Sequence, residues 1–361
     1  MKKSDLIKHI PKPAAGGNVL LLTHTDLDGS GAAIVLRKAY YFNEVDVIHC
    51  SNTKMSSVIR DTVLSNETWD EYDYVFACDI SVNENDAKLI NESNNKDRFL
   101  LLDHHNTAAD LNKYDWAIVC SDIIEDSYRT LLYPSDKLDI AHSSGTSLMF
   151  DYLNAAGVYT GDNNSIPSKY PFIANLVHKI AIYDTWDWVY VFEHDTEAHM
   201  LCRLFDAYGH DMFEIIETRK SDDDALFDYF DKQIILITQS NIEETIQAVH
   251  KRYERYDCNI NGATYKMLYV NATRFINDVF TDMHERYPDC DIYCINTGAS
   301  LSFRSRKDNI DVGKLAKALG GGGHNEAAGC SIPKALILNA VEQTLHSRLK
   351  RVVSEEIVYK H

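Results

Sequence analysis

The stretch Asn18-Val19-Leu20-Leu21-Leu22-Thr23-His24-Thr25-Asp26-Leu27-Asp28-Gly29 sets the reading of the whole chain. Its first half is a short, unbroken apolar run, the pattern of a strand buried on both faces. Its second half sets His24, Asp26 and Asp28 two residues apart directly after that run. Alternate side chains of an extended segment share a face, so the three can converge on one point. Gly29 lets the backbone turn into the helix expected from Ser30 to Tyr41.

Two further stretches repeat the arrangement. Tyr74 to Cys78 reads as an apolar strand followed by Asp79, and Arg98 to Leu102 as one followed by Asp103, His104 and His105. With strands also expected over 45–49 and 116–120 and a helix over 86–91, the pattern predicts an α/β domain with a doubly wound, mostly parallel sheet. Ligands in such sheets bind outside the carboxyl ends of the strands. Hydrophobic patterning does not require Asp or His at three of those ends. So many carboxylates in one crevice repel one another unless cations neutralise them. Carboxylate and imidazole donors without a Cys motif suit divalent cations, Mn²⁺ foremost, with Mg²⁺ or Zn²⁺ as alternatives. Two such ions about 3.5–4 Å apart would clamp a phosphate.

Beyond this core, a helix is expected from Ser144 to Ala156, with Ser143 or Ser144 as its N-cap. A polar loop follows over 157–168, then a helix over 172–182 that runs toward Asp184 and Asp187. Composition shifts at Ser221-Asp222-Asp223-Asp224, after which residues 225–256 read as one long helix. Strands return at 265–270, 292–296 and 301–305, with helices at 312–319 and from Glu326 onward. The expected organisation is an N-terminal domain over 1–224, a helical connector over 225–257 and a smaller C-terminal α/β domain over 258–361.

The C-terminal domain carries Leu319-Gly320-Gly321-Gly322-Gly323-His324-Asn325-Glu326. Four consecutive glycines do not belong inside a regular element. Placed before a helix, the bare N–H groups of Gly321, Gly322 and Gly323 and the helix N-terminus could cradle an anion, with His324 at the mouth. Arg304, on the preceding strand, could hold a phosphate through two parallel hydrogen bonds.

Composition narrows the partners. A net charge of −18 argues against a strong grip on long duplex DNA but leaves room for a short phosphate substrate. Eight cysteines occur without a CxxC pair, which reads as free thiols. No apolar run approaches the roughly 20 residues that cross a bilayer, and the N-terminus lacks a signal-peptide core, so a cytoplasmic protein without a membrane partner is expected. The 21 tyrosines could offer stacking faces to bases, although core packing is their ordinary role. Oligomeric state is open, with a homodimer allowed.

Asp103-His104-His105 after an apolar strand resembles the signature of the DHH phosphoesterases. His24-x-Asp26-x-Asp28-Gly29 is similar to that family's first motif and Asp79 to its second. Asp184 is the candidate for the fourth, with Asp187 as the alternative. The glycine run with His324, and Arg304 upstream, resembles the DHH-associated domain that follows in this family. The resemblance implies a two-metal hydrolase. His24, Asp26 and Asp79 would hold one ion; Asp28, Asp79, His104 and Asp184 would hold the other, with Asp79 bridging. It also implies that His105 contacts the substrate phosphate or the leaving oxygen, that Asp103 orients the imidazoles, and that Arg304, Gly321, Gly322, Gly323 and His324 bind substrate.

The two-domain form is similar to bacterial nanoRNases and oligoribonucleases, which implies hydrolysis of short oligonucleotides or dinucleotides to nucleoside 5′-monophosphates. A 3′-phosphoadenosine 5′-phosphate phosphatase, a cyclic or linear dinucleotide phosphodiesterase and a non-catalytic nucleotide-binding regulator are the competing expectations. A family II pyrophosphatase is disfavoured, because that group has more residues between its first His and first Asp than His24-Thr25-Asp26 shows.

Overall fold

The computed structural model describes residues 1–7, 16–39, 42–157, 171–212, 214–215, 226–260, 262–307 and 309–332. By compactness the chain divides into two units, Met1–Asn241 and Ile242–His361.

The first unit is built on β1 (Asn18–Thr23), β2 (Glu44–His49), β3 (Tyr74–Cys78), β4 (Phe99–Asp103) and β5 (Ala117–Val119). They lie in the order β2-β1-β3-β4-β5, and every pairing is parallel. Alternation along the strands sorts the core into two layers. Val19, Leu21, Phe76, Leu100 and Leu102 pack with residues of the helices Leu27–Arg37, Gly145–Ala155 and Pro171–Asp184. Leu20, Leu22, Val75, Ala77, Phe99 and Leu101 pack with Met55, Ile59, Trp69, Ala87 and Ile90, from the helices Asn52–Asp61, Asn66–Glu71 and Glu84–Glu92. Both faces are covered, which is why the strands read as continuous apolar runs rather than alternating ones.

Register and order together create the crevice. Thr23 pairs with Cys78, and Cys78 with Leu102, so the ends of β1, β3 and β4 reach one edge in step. Strand order reverses between β1 and β3, and a doubly wound sheet opens its ligand crevice at that switch point. Residues that follow β1 and β3 therefore meet there.

One buried acid away from the crevice gives a stability prediction. Asp151, 2% exposed on the helix Gly145–Ala155, accepts a hydrogen bond from Ser127 Oγ at 2.8 Å. Burial pushes its carboxyl from 3.8 up to about 6, against the opposing pull of Ser127 and Arg129. A carboxyl raised in the folded state contributes stability that is complete below its unfolded value and is lost as pH rises through its folded value. Asp151→Asn is therefore expected to melt several degrees above the wild type at pH 7.5, with the gap closing by pH 4. Thermal melts of both proteins across that range measure it, and a gap independent of pH would contradict the assignment.

The long helix observed over Tyr229–His250 corresponds to the connector expected over 225–257, and the division between the two units falls inside it. The second unit carries a mixed sheet of six strands in the order β10-β11-β9-β8-β7-β6: β6 (Glu254–Ile260), β7 (Ala263–Asn271), β8 (Ile292–Asn296), β9 (Ser300–Arg304), β10 (Gly322–Gly323) and β11 (Ala327–Ser331). Only β7 and β8 pair in parallel, joined across the helix Ile276–Arg286. Met267, Ile292, Cys294, Phe303, Val312, Ala316 and Cys330 share its core. The helix expected from Glu326 is corrected here: residues 327–331 are a strand paired antiparallel with β9. Its two alanines favour a helix locally, but the open edge of β9 supplies ladder partners that override that preference.

All eight cysteines are free. Among the described residues no helix is long and apolar enough to cross a membrane. Of the polar loop expected over 157–168, residues 158–168 lie outside the described residues, as does the composition shift at 221–224.

Candidate metal centre

The site is assembled from strand ends. After β1, Asp26 caps the helix Leu27–Arg37: its Oδ1 accepts the Gly29 N–H at 3.0 Å, and its Oδ2 lies 2.6 Å from His24 Nδ1. Asp28, 1% exposed, is engaged elsewhere. Its carboxylate accepts the backbone N–H groups of Gly145 at 2.6 Å and Thr146 at 3.0 Å, and its carbonyl accepts Thr146 Oγ1 at 2.6 Å. These donors open the helix Gly145–Ala155, whose first turn carries partial positive charge toward the acid.

Asp79 follows β3 with φ +58, a left-handed conformation that Asp tolerates better than most residues. Its Oδ1 is 3.2 Å from His104 Nε2, and its Oδ2 is buried with no hydrogen-bond partner. His104 follows β4; its Nε2 also lies 3.4 Å from Asp184 Oδ2 and 3.8 Å from Asp28 Oδ2. Two sets of ligand atoms thus come together, each within 4.8 Å: His24, Asp26 and Asp79 in one, Asp28, His104 and Asp184 in the other. Asp79 reaches both through its approach to His104.

The electrostatics of this arrangement call for positive charge. Burial first, then the charges of Asp26, Asp28 and Asp184, push the Asp79 carboxyl well above the carboxylate range. Burial, followed by Asp28 and Asp26, does the same to Asp184. Burial, reinforced by His105, lowers His104 to about 4, which leaves its imidazole neutral, as a ligand must be. Asp26 moves the other way: against burial, His24 and the Gly29 N–H hold it well below the usual range, and Asp26 in turn raises His24. An acid in the position of Asp79 needs either a proton or a cation. The unsatisfied Oδ2, the nitrogen and oxygen donors and the paired clusters fit divalent cations.

His105 and Asp103 form a separate dyad. Asp103, fully buried, accepts His105 Nδ1 at 2.7 Å and the His104 N–H at 2.8 Å through Oδ1, and Ser81 Oγ through Oδ2. Burial opposes the imidazolium of His105, yet Asp103 outweighs it and raises the imidazole to about 9.

Of the two acids left open by sequence, Asp184 is brought to the cluster and Asp187 is not. Asp187 accepts Tyr133 Oη at 2.6 Å and the His142 N–H at 3.2 Å. Between them Trp186 takes a left-handed φ of 64, ending one helix and turning the chain into the next. Gly145 and Thr146 were not singled out from sequence; the only trace was the N-cap Ser144. Gly145 admits no side chain, because a Cβ there would sit 2.5 Å from Asp79 Cβ and 2.9 Å from Asp28 Oδ2.

In the second unit, Arg304 lies on β9 with Nη1 donating to Ser302 Oγ at 2.8 Å and Nη2 to Asn277 Oδ1 at 3.1 Å, which holds the guanidinium in place. The glycine run departs from expectation. It follows the helix Val312–Ala318 and enters the β10–β11 hairpin, so a strand rather than a helix comes after it; the start of Val312–Ala318 lies against its end, with the Val312 N–H donating to Asn325 O at 2.8 Å. The N–H groups of Gly321 and His324 already donate, to Ala316 O and Ala327 O, both at 2.8 Å. The helix expected directly after the glycine run is therefore corrected to a strand, and the Gly321 N–H is taken up by Ala316 O. Glycine is required for close packing instead: a Cβ on Gly321 would meet Gly329 O at 2.0 Å.

The DHHA1 domain family matches residues 288–354. The chain is 27% identical to the oligoribonuclease NrnB of Bacillus subtilis over 318 residues, 86% of this chain and 72% of that protein. Among solved structures, a DHH domain from a member of a ribosomal-protein family superposes with a TM-score of 0.52 at 13% identity, covering 95% of this chain and 88% of that one. RecJ of Thermus thermophilus in complex with Mn²⁺ gives 0.50 at 13% identity, covering 97% of this chain and 54% of that one. At these identities the structural likeness establishes the fold. The domain match and the NrnB alignment establish the resemblance to DHH phosphoesterases with a C-terminal DHHA1 domain.

Proposed function

We propose that this relative of the DHH phosphoesterases is a metal-dependent phosphodiesterase that hydrolyses very short oligonucleotides to nucleoside 5′-monophosphates. The observation that carries the reading is the pair of ligand clusters around Asp79 at the switch point of the sheet. The relation to a protein named oligoribonuclease supports a nuclease activity, and the net charge of −18 favours a short substrate over a long one.

In this reading His24, Asp26 and Asp79 hold one divalent cation and Asp28, His104 and Asp184 the other, with Asp79 shared. Mn²⁺ is the first candidate and Mg²⁺ the second. Bound there, the cations would supply Lewis-acid neutralisation of the phosphate's charge. The chain's own residues do the rest. Asp103 fixes the His105 ring and keeps it protonated, so that His105 can donate a hydrogen bond from Nε2 to a phosphoryl oxygen or to the leaving oxygen. The N–H groups of Gly145 and Thr146 orient the Asp28 carboxylate. Arg304 offers a fixed guanidinium to a terminal phosphate, and His324 with the glycine hairpin would contact the same end of the substrate.

Incubation of the Mn²⁺-loaded protein with a labelled RNA dinucleotide, a short DNA, 3′-phosphoadenosine 5′-phosphate and a cyclic dinucleotide tests the substrate. Monophosphate release from the RNA dinucleotide is expected. Turnover of 3′-phosphoadenosine 5′-phosphate or the cyclic dinucleotide alone would overturn the oligonucleotide reading, and nucleotide binding without any turnover, with Mn²⁺ or Mg²⁺, would favour a regulator. Arg304→Ala and His324→Ala are each expected to raise KM for the dinucleotide about tenfold while largely sparing kcat. Steady-state kinetics check this; an unchanged KM in both variants removes these residues from substrate binding.

A further inference from the structure

The polar core next to the candidate site is organised around a buried arginine. Arg129, with 0% exposure, sits on the short turn Tyr128–Leu131. Its Nη1 donates to His142 O at 2.9 Å and Ser147 Oγ at 3.2 Å, and its Nη2 donates to Tyr133 Oη at 2.8 Å. Tyr133 Oη donates its own proton to Asp187 Oδ2 at 2.6 Å, and the same oxygen accepts the His142 N–H at 3.2 Å. Ser147 Oγ accepts the Ser144 N–H at 2.9 Å, and Ser144 Oγ accepts the Ser147 N–H at 3.3 Å, a reciprocal capping box. The side-chain bonds of Arg129 and Tyr133 fall on the segment 142–147 or brace a group that does.

That segment contains Gly145 and Thr146, whose N–H groups grip Asp28, and Gly145 lies so close to Asp79 that a Cβ there would meet it at 2.5 Å. A buried guanidinium is costly unless well hydrogen-bonded, and an apolar core would hold an ordinary helix start at less cost. Here the network fixes one particular turn, two bonds away from a carboxylate of the candidate metal centre.

We propose that Arg129 and Tyr133 are positioning residues of that centre: with Asp187 they set the helix turn whose N–H groups orient Asp28. Asp187, which sequence left as an alternative ligand, acts in this network through His142 and Tyr133. The inference rests on the reading that the clusters bind divalent cations, and the groups that support metal ligands without touching the ion commonly change affinity by about 10- to 100-fold.

Truncating Arg129 would leave a cavity and take its hydrogen bonds from His142 O, Ser147 Oγ and Tyr133 Oη at once, which endangers folding, so gentler variants are the test. Tyr133→Phe removes one hydroxyl from the network, and Ser147→Ala removes the oxygen that Arg129 grips on the helix side. Calorimetric titration of the full chain with Mn²⁺, together with metal-free thermal melts, reads the effect without relying on activity. Each variant is expected to bind one Mn²⁺ as the wild type does and the other about tenfold more weakly, with kcat on the RNA dinucleotide reduced and KM unchanged. Variants that melt at lower temperature yet bind both ions with wild-type constants would show a purely structural network and overturn the proposal. A wild-type chain that takes up no Mn²⁺ would sink the metal reading itself, and this inference with it.

Discussion

Asp79→Asn is expected to lower kcat/KM on the RNA dinucleotide by about 10³-fold or more, and at the same time to make the metal-free protein more stable at neutral pH. Both effects follow from one position. Asp79 contributes to the His24–Asp26 cluster and approaches His104 of the other, so removing its charge weakens both ion sites together. In the metal-free chain the same carboxylate is buried among Asp26, Asp28 and Asp184, and its carboxyl titrates well above 3.8. The unfolded chain gives up this proton once pH passes the ordinary carboxylate value, while the folded chain must either keep it or bury a charge, so at neutral pH the wild type carries a cost that the neutral amide does not. Asn is the informative replacement because it also accepts the left-handed φ of +58, whereas Ala would add backbone strain of roughly 1 kcal/mol or more. Melting temperatures with and without Mn²⁺ and initial rates measure the two arms. Retained turnover would refute the shared-ligand role, and an unchanged metal-free melting temperature would refute the electrostatic account of the crevice.

Gly145→Ala is expected to be nearly as damaging, although it removes no ligand and no hydrogen-bonding group. The added methyl would lie 2.5 Å from Asp79 Cβ and 3.0 Å from Asp79 Cα, so part of the obstruction is backbone rather than the mobile end of a side chain. Either the helix start recedes and its grip on Asp28 lengthens, or the Asp79 turn moves. Displacing catalytic groups by about 1 Å can cost about 10²-fold in rate, and a loss of that order in kcat is expected, with a fall of several degrees in melting temperature. Mn²⁺ titration and steady-state kinetics check it. Wild-type kcat in a folded Gly145→Ala protein would mean that the close approach has no bearing on the chemistry.

Much of the candidate site was legible because its parts are local. A run such as Val19-Leu20-Leu21-Leu22 can be stable only where both faces are covered, and the residues directly after it must emerge at the strand end. Three such runs ending in Asp or His therefore predict an edge rich in ligands before any coordinates are known. The glycine run shows the limit of this reasoning. Gly321 and Gly323 mark close backbone packing, but a run of glycines does not say whether a helix or a strand follows. The outcome depended on whether β9 had an open edge, which is a property of the assembled sheet.

Short-range pattern and charge were enough to set the parallel α/β layering, the emergence of His24, Asp26, Asp28, Asp79 and His104 at strand ends, and the acidity that calls for cations. Three features needed the folded chain: that Asp184 rather than Asp187 joins them, that Gly145 must lack a side chain, and that Arg129 lies buried behind the helix start. The reason is rotational and packing freedom. A left-handed turn at Trp186 rotates one acid toward the cluster and the other away, and the helix N-terminus at Gly145 docks onto Asp28 across 117 positions of sequence.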